Sequence, residues 1–124
     1  MARALVVDDS RAVRLILAKT LGELGFEVVQ AANGREALDI MAREGSSVDL
    51  ALVDWNMPEM NGLEFVRQLR TEPCYDDVRL MMVTTETEME QIALALEAGA
   101  NEYVMKPFTR EAVEDKLRLL GAIR

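Results

Sequence analysis

This chain predicts a doubly wound α/β domain, a (βα)5 order around one five-stranded parallel sheet, and three observations carry that expectation. A strand period gives way to a helix period five times along the 124 residues, with no linker, repeat or low-complexity stretch between. The strand candidates are short continuous apolar runs, the pattern of strands covered on both faces, rather than alternating ones. Three of those runs end in charge. Residues 4–7 end at Asp8 and Asp9, residues 50–53 at Asp54, and residues 103–105 at Lys106. Open α/β sheets bind ligands at the carboxyl ends of their strands, and right-handed crossovers leave helices on both faces.

Taken in order, residues 4–7 predict the first strand. Val13, Ile16, Leu17, Leu21 and Leu24 then recur at helical spacing and predict an inward stripe, with Gly25 at the C-terminal cap. Residues 26–30 predict a second, weaker strand. Asn33 and Gly34 open a helix with the stripe Ala37, Leu38 and Met41, and Glu36 lies in its first turn, where the helix dipole favours an acid. The central strand runs through Leu50, Ala51, Leu52 and Val53 to Asp54. Pro58, Asn61 and Gly62 predict a loop; Leu63, Val66 and Leu69 mark a third helix that Pro73 closes. Residues 78–83 predict a strand ending in Thr84 and Thr85. Met89, Ile92, Ala93 and Leu96 predict a helix stopped by Gly99. After the last strand Pro107 follows Lys106 directly, and Thr109 caps a helix turning Ala112, Val113, Leu117 and Leu120 inward.

Composition excludes several classes. Half the residues are hydrophobic, enough for one core in a single domain spanning 1–124 with no output domain. A net charge of -8 opposes binding along a nucleic-acid backbone and favours a protein partner or a cationic ligand. With one cysteine, Cys74, and no histidine, disulfide frameworks, His-ligated zinc and Ser-His or Cys-His catalysis are excluded. Cys74 reads as an ordinary loop or packing residue. No stretch resembles a signal peptide or approaches the ~20 apolar residues of a membrane span, so a monomeric cytoplasmic protein without membrane contact is expected.

If the charged strand ends are neighbours, three carboxylates meet one ammonium at one sheet edge. Crowded carboxylates raise each other's pKa unless a cation intervenes. An all-oxygen site suits Mg²⁺, whose retained waters leave positions for phosphoryl oxygens. Asp54 then stands where a nucleophile would form an aspartyl phosphate, with Lys106 neutralising the transferring group and the Thr84 hydroxyl within reach of it. Each residue has a plainer explanation: Asp8 and Asp9 as helix caps before Ser10, Asp54 as a turn residue, Lys106 and Pro107 as a strand exit. The coincidence of all of them at strand C-termini favours one site, and lysine is otherwise limited to Lys19 and Lys116.

Asp8, Asp9, Asp54, Thr84, Lys106 and Pro107 together resemble the signature of bacterial response-regulator receiver domains, over essentially the whole chain. The likeness extends to the chemotaxis members of that family through DWNMPEMNGLE over 54–64, MVTTE over 82–86 and EAGANEYVMKPFT over 97–109. The resemblance implies a flavodoxin-like fold with strand order 2-1-3-4-5. It implies that Asp54 accepts phosphate from a histidine kinase, that Asp9, Asp54 and the Asn56 carbonyl hold Mg²⁺ with Asp8 acting through water, and that Mn²⁺ can substitute. Thr84 and Lys106 would contact the phosphoryl group, and the Lys106–Pro107 bond would be cis. Tyr103 matches an aromatic switch residue coupled to Thr84, and Trp55 would report metal and phosphate by fluorescence.

The same resemblance implies a protein that is not a turnover enzyme. Its target face would be formed by the fourth helix, last strand and last helix, and its partner would be a flagellar-switch protein. Asn56, Thr85 and Glu86 fall at positions that set phosphate lifetime. Thr85 departs from the family's usual Ala or Gly, which narrows access to the acceptor. Glu88 and Met89 replace lysines of chemotaxis regulators, making the target face acidic, although Lys116 is retained. The alternatives are a stand-alone receiver serving as phosphorelay intermediate, phosphate sink or regulator of a non-motor protein, and more remotely a Mg²⁺-dependent phosphohydrolase. Against the last, the position of a general acid two residues after the nucleophile holds Asn56.

Overall fold

The computed structural model describes residues 2–85 and 90–124. Five strands and five helices alternate: β1 (Arg3–Val7), α1 (Arg11–Glu23), β2 (Glu27–Ala31), α2 (Gly34–Glu44), β3 (Leu50–Asp54), α3 (Gly62–Arg70), β4 (Arg79–Thr84), α4 (Ile92–Ala98), β5 (Glu102–Met105) and α5 (Arg110–Leu119). The strands form one parallel sheet in the order β2-β1-β3-β4-β5, as expected. Among the described residues no helix is long and apolar enough to cross a membrane.

Strand alternation divides the core in two. Ala4, Val6, Leu50, Leu52, Met81, Val83 and Val104 face α1 and α5, where Leu17, Leu21, Val113 and Leu117 meet them. Leu5, Val7, Ala51, Val53, Leu80 and Met82 face α2, α3 and α4, packing on Ala37, Met41, Phe65, Val66 and Ala95. Because both faces are covered, the central strands carry uninterrupted apolar runs. Four helices start on side-chain caps: Ser10 accepts from the Val13 amide, Asn33 from Glu36, and Thr109 from Ala112. Asn61 and Glu64 form a reciprocal capping box. Gly25 (φ 99°) and Gly99 (φ 124°) take the left-handed conformation at the ends of α1 and α4.

Some expected helix faces are corrected. Ile16, assigned inward, is 55% exposed on α1; the run Leu15-Ile16-Leu17 is apolar around half the helix, so spacing alone could not choose a face. On α4, Ala93 and Leu96 point out while Ile92 and Ala95 are buried. Its sequence, IALALEA, is apolar nearly all round and carries no period. Ile40 and Phe65 are buried beyond the stripes named for α2 and α3, and β2 begins one residue later than expected, at Glu27. Met89, Glu86 and Glu88 lie outside the described residues.

At the end of the sheet away from the charged strand tips, Arg70 joins α3 to α4 and β4. Its guanidinium donates to the carbonyls of Tyr75 (2.6 Å), Val78 (2.7 Å) and Gly99 (3.0 and 3.1 Å), and to Asn101 Oδ1 (3.2 Å). Arg70→Met keeps the aliphatic stem but leaves these acceptors without their donor. It should lower unfolding free energy by about 2–4 kcal/mol, read by urea denaturation.

Candidate functional site

Sheet register assembles the site. Val7 pairs with Val53, and Asp54 with Val83, so Asp8, one residue past β1, stands level with Asp54 at the end of β3. Lys106 follows β5 and reaches across. Its Nζ donates to Asp8 Oδ2 at 3.0 Å and to Asp54 Oδ1 at 3.2 Å. Asp8 and Asp54 are only 1% and 5% exposed, whereas Asp9 is open to solvent. One carboxylate oxygen from each of Asp8, Asp9 and Asp54 lies within 4.8 Å of the others. Three hard oxygen donors at this spacing, with Asp9 facing water, fit a small divalent cation that keeps part of its hydration shell.

The backbone around Asp8 and Asp54 is closely tied. Asp8 Oδ1 accepts from the Ser10 amide (2.8 Å), and the Asp8 carbonyl accepts from Arg14 Nη1 (2.7 Å). The Trp55 amide donates to Val83 O (3.1 Å), and the Gly62 amide donates to Trp55 O (2.9 Å). Thr84 ends β4 fully buried, and its carbonyl accepts from the Lys106 amide at 2.6 Å, which couples the β4 and β5 exits. The Lys106–Pro107 peptide is cis.

Burial pushes the Asp54 carboxyl up from 3.8 to about 6; the negative charge of Asp8 adds to the shift and Lys106 opposes it. Burial alone would lower Lys106, but its hydrogen bond to Asp8 and the charges of Asp54 and Asp8 outweigh that and hold it above its ordinary value. The pocket is therefore short of positive charge at neutral pH.

The sequence matches the family model for the response regulator receiver domain over residues 4–118. The chain belongs to that family. It is 45% identical over 116 residues to a chemotaxis protein CheY homolog of Campylobacter jejuni, covering 93% of this chain and 88% of that one. It is 40% identical over 119 residues to chemotaxis protein CheY1 of Helicobacter pylori, covering 95% of each. The solved structure of Vibrio cholerae chemotaxis protein CheY4 matches with a TM-score of 0.86 at 37% identity, covering 100% of this chain and 99% of that one. This receiver domain is thus of CheY type, consistent with a response regulator in chemotaxis.

Within the receiver domain, Asp8, Asp9, Asp54 and Lys106 converge on one pocket, with Thr84 joined to Lys106 through the backbone. Asn56 is exposed on the loop just after β3, and Thr85 is half-buried just after β4. Tyr103, on β5, is half-buried against the α2–α4 side of the core, with Lys116 Nζ 4.5 Å above its ring and bonded to Glu102 at 3.1 Å. Trp55 is buried in that same core.

Two further residues shape the site without a signal in the sequence spacing. Arg14 falls between the stripe positions of α1. Gly62 reads from sequence as a loop residue, but its role is close approach: a Cβ there would lie 2.6 Å from the Asp54 carbonyl oxygen and 2.7 Å from Met82 Cε. Gly62→Ala should therefore shift the peptide that carries Asp54 and cost about 1–3 kcal/mol in urea denaturation.

The raised pKa has a definite sign. A carboxyl with a folded pKa near 6 and an unfolded pKa near 3.8 makes the folded state bind more protons between those values. Ionised Asp54 therefore lowers stability above pH 6 by roughly 3 kcal/mol, a penalty relieved as pH falls toward 4. In chelator, Asp54→Asn should be more stable than the parent by about 1–3 kcal/mol at pH 7.5. That difference should shrink through pH 6 and vanish near pH 4, as followed by denaturation at each pH.

Proposed function

We propose that this receiver domain is a phosphorylation-controlled response regulator in a chemotaxis-type two-component system, with Asp54 as the phosphoacceptor. The supporting observation is a buried Asp54 carboxylate 3.2 Å from the Lys106 ammonium, with the oxygens of Asp8 and Asp9 within 4.8 Å. An Asp54 oxygen attacks phosphorus in the phosphohistidine of a histidine kinase; the new O–P bond forms as the P–N bond breaks, and the imidazole leaves and takes up a proton. Lys106 neutralises the charge of the transferring group, and Thr84 donates to it.

Asp8, Asp9, Asp54 and the Asn56 carbonyl would hold Mg²⁺, or Mn²⁺ in its place, which supplies charge neutralisation for the phosphoryl oxygens. The protein promotes its own phosphorylation and dephosphorylation and turns over no other substrate. A phosphoryl group on Asp54 draws Thr84 and Lys106 toward it and biases Tyr103 and the face of α4, β5 and α5, where a target protein binds in the cytoplasm.

Within that reading, regulation of a non-motor target or service in a phosphorelay is favoured by one observation. The cations of the described part of this face are already paired: Lys116 with Glu102, Arg110 with Glu23 and Glu114, and Arg118 with Glu114 and Asp115. Binding of a flagellar-switch peptide to the phosphorylated form, but not to the unphosphorylated one, would decide for the motor.

Acetyl phosphate tests the central step. Incubation with Mg²⁺ should add one phosphate in intact-mass spectra, and chelation or Asp54→Ala should abolish it. No adduct, or one that survives in Asp54→Ala, overturns the assignment.

A further inference from the structure

We infer that Arg14 is a positioning residue for the divalent-cation site, a role that rests on the Mg²⁺ reading above. Asp8 is held at four points. Its amide donates to Ala31 O (3.1 Å), Oδ1 accepts from the Ser10 amide (2.8 Å), Oδ2 accepts from Lys106 Nζ (3.0 Å), and its carbonyl accepts from Arg14 Nη1 (2.7 Å). The first three set the strand end and the Asp8 side chain. The fourth sets the next peptide, and Asp9 depends on it.

Among the described residues the Asp9 carboxylate has no hydrogen-bond or ion-pair partner, and the side chain is exposed. Its aim toward Asp8 and Asp54 therefore comes from the backbone. The peptide unit is planar, so anchoring the Asp8 carbonyl oxygen fixes the Asp9 nitrogen and the direction from which the Asp9 side chain departs. Arg14 is itself fixed: its amide donates to Ser10 O (3.0 Å) in the first turn of α1, and Ser10 caps that turn. Strand end, loop and helix start form a closed ring with the guanidinium as its last link. Groups that orient ligands from behind typically govern metal affinity 10–100-fold.

Coulomb's law gives the opposite sign. Arg14 is a cation beside a cation site, so removing its charge should tighten metal binding if charge were its only contribution. Positioning demands that removal weaken it.

The test is Mg²⁺ titration of the full chain, followed by Trp55 fluorescence and independently by calorimetry, with thermal melts in chelator alongside. Arg14→Met should weaken Mg²⁺ binding about tenfold at a temperature where the melt shows it folded. Arg14→Lys, which keeps a donor of similar reach, should recover part of the loss. Arg11→Met, which removes an exposed cation from the same helix without breaking the bond, should bind as tightly as the parent or tighter. Unchanged or tighter binding by Arg14→Met overturns the inference, and so does an equal loss in Arg11→Met. A parent protein that does not bind Mg²⁺ at all overturns the Mg²⁺ reading itself.

Discussion

Two carboxylates, Asp8 and Asp54, are held out of water side by side on adjacent parallel strands, with a single ammonium, Lys106, shared between them. Neither can move away without breaking sheet register, because Asp8 continues the strand ladder through its amide and Asp54 is the last paired residue of β3. Burial and mutual repulsion therefore act on a fixed geometry. The result is a pocket that is unfavourable when empty and ionised, and receptive to protons, metal or an added cationic group.

The two ends of the sheet divide the work. At the N-terminal edge Arg3 bridges Glu27 (2.5 Å) and Glu44 (2.6 Å), with Ser47 Oγ at 3.1 Å, and Arg70 gathers carbonyls from three segments. There each guanidinium is ringed by acceptors, carboxylates at Arg3 and carbonyls at Arg70. At the C-terminal edge, among the described residues, Asp8, Asp9 and Asp54 gather beside Lys106, and the loops are shaped by close approach at Gly62 and by a left-handed Glu59 (φ 68°). A site that disfavours folding is tolerable because the opposite edge and the two-sided core stabilise the same strands.

Much of this was legible in the sequence because the signals were redundant. Apolar runs ending in Asp8, Asp54 and Lys106 located both the strands and the site, since a parallel sheet puts every strand's carboxyl end on one edge. The caps Asn33, Thr109 and Gly99 were readable because their chemistry is local. What failed was face assignment on α1 and α4, where Leu15-Ile16-Leu17 and IALALEA are too uniformly apolar to carry a helical period. Arg14 and Gly62 were not legible as site residues, because their roles lie in backbone atoms contributed by other segments. No spacing rule reports that an arginine will bond the carbonyl six residues before it, or that a Cβ at the start of a helix would fall 2.6 Å from a neighbouring carbonyl oxygen.

Protonation, metal binding and the position of Lys106 are not separable properties of this pocket. All three relieve the same repulsion, so each lowers the benefit of the others. A proton on Asp54 would cost the site one oxygen donor, and a cation held by Asp8, Asp9 and Asp54 would compete with Lys106 Nζ for the same carboxylates. The Lys106 amide is bonded to Thr84 O at 2.6 Å, so the position of Lys106 is tied to the ends of both β4 and β5. Tyr103 lies on β5 only three residues back, under Lys116. A continuous path of covalent and hydrogen bonds therefore runs from the Asp54–Lys106 pair to Tyr103 on the edge strand β5.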